Sequence, residues 1–259
     1  MTVSGRLNER ATKECTLRGS LWHVDAGWAT FAGPLHHNAP HAHSTAVYLA
    51  GLYGTFRLCI AGSRWLTCRS AVIRAGTPYE FDVGGEPLGV FYLEPNIAGA
   101  DALAALVAGG EDVSGAIVGS SDASPLRSHF ELRPDTEDLR ASMGDIVGFA
   151  QRRARRQMDE RVARAVEAMQ SRAADALSTT QAATAAGLSA SRFQHLFTRE
   201  VGVPFRRYRG WHRLRAAIRE VAHGGSSLTA AAHAAGFADQ AHFSRAFRLT
   251  FGAPPSRGL

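Results

Sequence analysis

Thr180-Gln-Ala-Ala-Thr-Ala-Ala-Gly187-Leu-Ser-Ala-Ser-Arg-Phe193-Gln-His-Leu-Phe197, closed by Gly202-Val-Pro204, returns as Thr229-Ala-Ala-Ala-His-Ala-Ala-Gly236-Phe-Ala-Asp-Gln-Ala-His-Phe243-Ser-Arg-Ala-Phe247, closed by Gly252-Ala-Pro254. The two glycines lie 49 positions apart, while the phenylalanines and the Gly-x-Pro ends lie 50 apart, so the second copy carries one extra residue in its turn. Each copy reads as a small-residue helix, a glycine where that helix stops, and Ser189 or Asp239 placed to cap a second helix. Alanines at 182, 183 and 186 let two helices approach closely, and Phe193, Leu196 and Phe197 share one helical face that buries against them.

The other face of each second helix is polar. It presents Ser191, Arg192, Gln194, His195 and Arg199 in the first unit, and Gln240, Ala241, His242, Ser244, Arg245 and Arg248 in the second. Arginine suits guanine, glutamine suits adenine, and serine or histidine serves base edges or phosphates, so these are the candidate DNA-binding residues. One helix-Gly-helix unit is equally well explained by a helical hairpin facing water. Two matched units in a basic segment shift the balance towards DNA.

The charge supports that reading. Residues 158–259 carry 14 arginines against 7 acids, net +7, whereas residues 1–157 carry 15 bases against 16 acids, net −1. Nucleic-acid affinity rests on phosphate contacts and counterion release, which such a polarised chain supplies from one end.

The stretch Gly236 to Pro255, together with Leu188–Phe197, Gly202-Val-Pro-Phe and Tyr208, resembles the signature of AraC/XylS-type transcription regulators over Asp159–Arg257. The resemblance implies a seven-helix domain with recognition helices at Ala190–Glu200 and Gln240–Phe251, joined through a linker helix at Trp211–Val221. It also implies double-stranded DNA as partner, and RNA polymerase where the protein activates. Ala231, Ala232 and Ala241 depart from the family's usual larger or polar residues, which puts a base contact at 241 in doubt beyond a thymine methyl.

Upstream, Val47–Tyr53, Phe56–Ile60, Arg64–Cys68, Ala71–Arg74, Tyr79–Val83 and Leu88–Leu93 read as short strands between glycine turns, a pattern for a sandwich or barrel. Helical spacing follows at Ala100–Ala108 and Thr136–Gln157, and the acidic, glycine-containing stretch Gly109–Ser124 reads as an exposed loop. The expected architecture is α+β and multidomain. It comprises a small cupin-like β-barrel at 1–98, a helical linker at 99–157, and an all-α DNA-binding domain with two helix-turn-helix units at 158–259. The Leu139–Val147 stripe suits either a homodimer interface or an intramolecular core. The arginine run 152, 153, 155 and 156 has the look of an anion site or of a charged linker beside DNA.

Pro40-His41-Ala-His43 followed by Tyr48 and Gly51 resembles the first cupin motif, and Arg74-Ala-Gly76-Thr-Pro78-Tyr79 the second. Metal-binding cupins add a glutamate to the first and a histidine to the second; here no such glutamate follows and Tyr79 takes the histidine's place. Two imidazoles make a poor permanent site, so neither metal nor another cofactor is expected, although His36, His37, His41 and His43 form a histidine-rich tract. His41, His43 and Tyr79 are instead candidates for a small-molecule effector pocket inside the barrel.

Two enzyme readings compete: a cupin-type metal-dependent enzyme fused to a DNA-binding domain, and a DNA alkyl-transfer protein using Cys15, Cys59 or Cys68. The first lacks a metal triad, and the cysteines lack an activating motif or metal-type spacing. No run reaches the length of a membrane span and the polar N-terminus is no signal peptide, so a non-enzymatic cytoplasmic regulator is the expectation.

Overall fold

The computed structural model describes residues 19–170 and 177–259; Cys15 lies outside them. The N-terminal half is built on two antiparallel sheets. Seven strands form the larger: β1 (Leu21–Val24), β2 (Trp28–Pro34), β4 (Ala46–Gly51), β7 (Ser70–Ile73), β9 (Pro87–Leu93), β10 (Ala108–Val113) and β11 (Ala116–Ser120), ordered β1-β2-β9-β4-β7-β11-β10. The smaller holds β3 (His37–His41), β5 (Phe56–Ile60), β6 (Leu66–Cys68) and β8 (Tyr79–Asp82), ordered β3-β8-β5-β6. The described strands pair within two separate sheets, and their backbone pairing does not close into the expected barrel.

The central strands of the larger sheet, β2, β9, β4 and β7, are buried on both faces. Along β4, Val47 and Leu49 enter the core shared with the smaller sheet, while Ala46, Tyr48 and Ala50 face the helices behind. Successive side chains point to opposite faces, so a strand covered on both sides reads as an unbroken apolar run. Those covering helices are α1 (Ala100–Ala104), α2 (Ser124–Leu132) and α3 (Thr136–Arg153). Leu139, Met143, Ile146 and Ala150 of α3 are buried there with Tyr48 and Phe91, and Val147 packs beside them. The Leu139–Val147 stripe is therefore spent within the chain.

The expected loop at 109–124 is largely a hairpin. β10 and β11 pair with each other, and β11 pairs with β7 through Ile117↔Val72 and Val118↔Ala71. The region 99–157 thus adds two strands to the sheet besides its helices.

The C-terminal part is helical: α4 (Glu160–Gln170), α5 (Thr179–Ala185), α6 (Ala190–Val201), α7 (Phe205–Gly224), α8 (Leu228–Ala234) and α9 (Gln240–Phe251), ending in a 3-10 turn at Pro255–Arg257. The linker helix α7 is longer than the expected Trp211–Val221 at both ends. None of the helices among the described residues is long and apolar enough to cross a membrane.

Candidate nucleic-acid interface and the cavity behind it

The two copies of the repeat fold alike and share their turn-closing bonds. Gly187 and Gly236 adopt φ of +66° and +75°, a conformation glycine enters without a Cβ penalty. In both, the turn is closed by equivalent backbone bonds: Leu188 N to the Ala183 carbonyl and Phe237 N to the Ala232 carbonyl, each 2.9 Å. The Ser189 side chain accepts from Arg192 N, and Asp239 from His242 N at 2.6 Å. Ser178 caps α5 in a reciprocal box with Gln181, and Ser227 caps α8.

Phe193 and Phe197 on α6, like Phe243 and Phe247 on α9, are buried, which fixes the rotation of each second helix. Ser191, Arg192, Gln194, His195 and Arg199 are all exposed, as are Gln240, Ala241, Arg245 and Arg248. His242 and Ser244 are half-buried. The His242 ring packs edge-on against Phe237 at 5.2 Å and its Nδ1 accepts from Ala238 N, so this residue is held in the turn. Gln240 accepts from the Thr229 hydroxyl, and Arg199 donates to Glu200. Leu249, 76% exposed beside Arg245 and Arg248, is an apolar member of this surface that the polar pattern did not reveal.

The opposite ends of both helices rest on the sheet domain. Gly202 ends α6 with φ +89° and Gly252 ends α9 with φ +70°. Gly202 lies so close to the Ala75–Gly76 loop that a Cβ on Gly76 would meet its carbonyl at 2.9 Å. A Cβ on Gly252 would strike the Ala39 carbonyl and the His41 ring; Ala39 N donates to the Gly252 carbonyl at 2.9 Å, and Asn38 Nδ2 to the Phe251 carbonyl at 2.6 Å. The linker helix makes the third contact. Glu94, 1% exposed at the end of β9, accepts from Tyr208 Oη, from Trp211 Nε1 at 2.9 Å and from Arg215 Nη1 at 2.7 Å. Arg215 also donates to the carbonyls of Asp25, Ala26 and Trp28. Sequence reading missed this pair; its signal was a lone acid closing an apolar strand and an arginine inside an apolar helical face.

Between the sheets and α9 lies an aromatic cavity of about 30 Å³, lined by Trp22, His41, His43, Tyr79, Tyr92 and Phe251 among others. The three candidate effector residues do meet there: His41 and Tyr79 rings are 4.4 Å apart, and His41 and His43 5.0 Å. Burial pushes the His41 imidazole down to about 4 and His43 well below the usual histidine range, while burial and neighbouring Tyr92 push Tyr79 up. His43 Nδ1 is buried without a hydrogen-bond partner. His36 and His37 are exposed instead, His37 lying 3.2 Å from Glu80, so the histidine tract divides. Among the described residues no three His, Cys, Asp or Glu side chains come together as a metal site would need.

Residues 182–258 match the model of a helix-turn-helix domain family. The fold of nearly the whole chain is similar to solved structures of ToxT from Vibrio cholerae. One, with an unsaturated fatty acid bound, is 13% identical, covering 90% of this chain and 95% of that one at a TM-score of 0.57. Another, bound to (E)-4-(8-methylnaphthalen-1-yl)but-3-enoic acid, is 12% identical, covering 89% and 97% at 0.55. At this identity the likeness is one of fold. No curated protein matches the chain.

Proposed function

We infer that this chain is an AraC/XylS-type transcriptional regulator, which binds DNA through two helix-turn-helix units under the control of a small-molecule effector. The observation that carries the reading is the repeated unit itself: two glycine turns closed by equivalent backbone bonds, each presenting a polar recognition helix whose far end is docked on the sheet domain. The helix-turn-helix family match over 182–258 and the shared two-domain fold support it.

In this reading Arg245, Arg192 and Gln194 read bases in successive major grooves, while Arg248 and Arg199 grip phosphates. The sheet domain is a cupin-like effector module, and the aromatic cavity is the effector site. At about 30 Å³ the cavity is far below the roughly 300–1,000 Å³ of ordinary ligand pockets. An effector therefore enters by displacing a wall, and the wall that belongs to the DNA-binding unit is Phe247 and Phe251 of α9 with the segment from Ala253 to Gly258 that follows it. The ToxT structures hold apolar molecules with an acid group, and a similar ligand suits this aromatic lining, with His41, His43 and Arg257 as its polar partners.

The enzyme readings have less support. Among the described residues His41 and His43 gain no third donor, and the two described thiols are held protonated: burial pushes Cys68 up to about 12, and burial with the Glu80 carboxylate raises Cys59.

Selection of bound sequences from a random DNA pool tests the function. Two half-sites about one helical turn apart, roughly 10–10.5 base pairs, are expected. Enrichment of no motif, with binding equal on all sequences, would overturn the reading.

A further inference from the structure

We propose that a basic cleft at the junction of α3 and α4 binds a phosphorylated small molecule, at a site separate from the aromatic cavity. The cleft encloses about 720 Å³ between β7, α1 and the end of α3, and its cations are Arg74, Arg152, Arg153 and Arg155. It adjoins a second cleft of about 690 Å³ that shares Arg74 and adds Arg156 and Arg199 beside the end of α6.

The charges here are poorly balanced. Arg74 donates to Asp112 at 3.0 Å and Arg156 to Glu200 at 2.7 Å, but neither Arg152 nor Arg155 has a carboxylate partner among the described residues. Asp101 is the sole acid among the residues lining the larger cleft. Arg153 is held with its guanidinium 3.8 Å from the centre of the Phe149 ring, which orients the planar fork. Thr45, which lines the adjoining cleft, has a buried hydroxyl without a partner.

Shape and lining narrow the ligand. Clustered cations over low-dielectric walls focus a positive field into the concavity. The floor is apolar, formed by Val72, Ala104 and Ile117, and offers an organic body a seat beside the cations that hold its phosphate. A phosphate monoester brings a charge of about −1.5 to −2 and three acceptor oxygens, matching several guanidinium forks at once, where a single carboxylate would leave most unmet. DNA fits the place less well. A duplex is a convex rod, and even the adjoining cleft reaches only the Gly202 end of α6, about 16 Å along the helix from Ser191 at the reading end, while no residue of α6 lines the proposed cleft itself.

Calorimetric titration of the full chain at fixed ionic strength tests the site, with AMP and pyrophosphate as probes and adenosine as the phosphate-free control. Saturable binding of AMP and pyrophosphate, absent for adenosine, is expected. Combined Arg152→Ala and Arg155→Ala should weaken AMP about tenfold or more, with thermal stability and nucleotide-free DNA affinity unchanged. The proposal is overturned if neither phosphate probe binds, if adenosine binds as well as AMP, or if the double variant binds AMP like the parent. It is equally overturned if the variant instead loses DNA affinity with a shallower salt dependence, which would make the run a DNA phosphate contact.

Discussion

Arg245 is the side chain whose role can be separated most cleanly from its neighbours. It is exposed six residues after the Asp239 cap, two residues after buried Phe243, and no carboxylate holds it among the described residues. Arg245→Ala should cost about 1–3 kcal/mol on the selected site and relax preference at one base pair, whereas Arg248→Ala should weaken all sequences alike. Binding to the site and its single-base variants at fixed salt decides between them; equal weakening on every variant would move Arg245 to the phosphate contacts. The caps Ser189 and Asp239 and the glycine turns were legible because they follow local backbone rules. The ties of His242 to Phe237 and of Gln240 to Thr229 were not, since they depend on how two helices meet. Arg215 belongs to the same illegible class: its partner Glu94 lies 121 positions away in the chain. Removing one member of a buried pair strands the other charge, so Arg215→Ala should lower unfolding free energy by about 3–5 kcal/mol in urea titration. A loss below about 1 kcal/mol would mean water reaches Glu94.

At the scale of elements, the recognition helices were readable to within a residue, but their anchoring was not. A glycine after a helix signals a C-cap; it does not say that something is pressed against it. Gly187 and Gly252 separate the two effects, because both have positive φ, yet a Cβ on Gly187 meets open space while one on Gly252 strikes Ala39 and His41. Gly187→Ala should cost only the left-handed backbone strain, about 1–2 kcal/mol. Gly252→Ala should cost that and also separate α9 from β3, seen as a clearly larger drop in the melting temperature. Equal drops would show that the contact yields freely. The hairpin β10–β11 escaped sequence reading for a related reason. Its first strand, Ala-Gly-Gly-Glu-Asp-Val, is largely exposed and has no apolar alternation, so only pairing of β11 with β7 makes it a strand.

Across the whole molecule, buried histidines lie at and just behind the seam between the two halves, which the glycine caps also join. His23 on β1 stacks on Trp28 and meets His223 of α7 edge-on at 4.7 Å, with Asp25 and Arg140 nearby; His129 on α2 faces His23 and Arg133; His212 on α7 lies near Arg215, Glu94 and Arg219. Burial, ahead of the neighbouring charges, lowers His23, His129 and His212 each to about 4. The unfolded chain titrates these groups near 6.5, so between about 6.5 and 4 it binds more protons than the native state. Stability should therefore be level above pH 7 and fall as the pH drops through that window, the full penalty being reached near pH 4. Asp25, held below the usual carboxylate range in part by Arg140, remains charged across most of the window and softens the fall at His23. Urea midpoints measured from pH 8 to pH 4.5 should decline most steeply between about 6 and 4.5. His212→Gln should flatten part of that decline, because the glutamine amide cannot take up the proton that the interface excludes. A midpoint constant over the range would show that these imidazoles open to water at little cost, and that the interface is looser than its packing indicates.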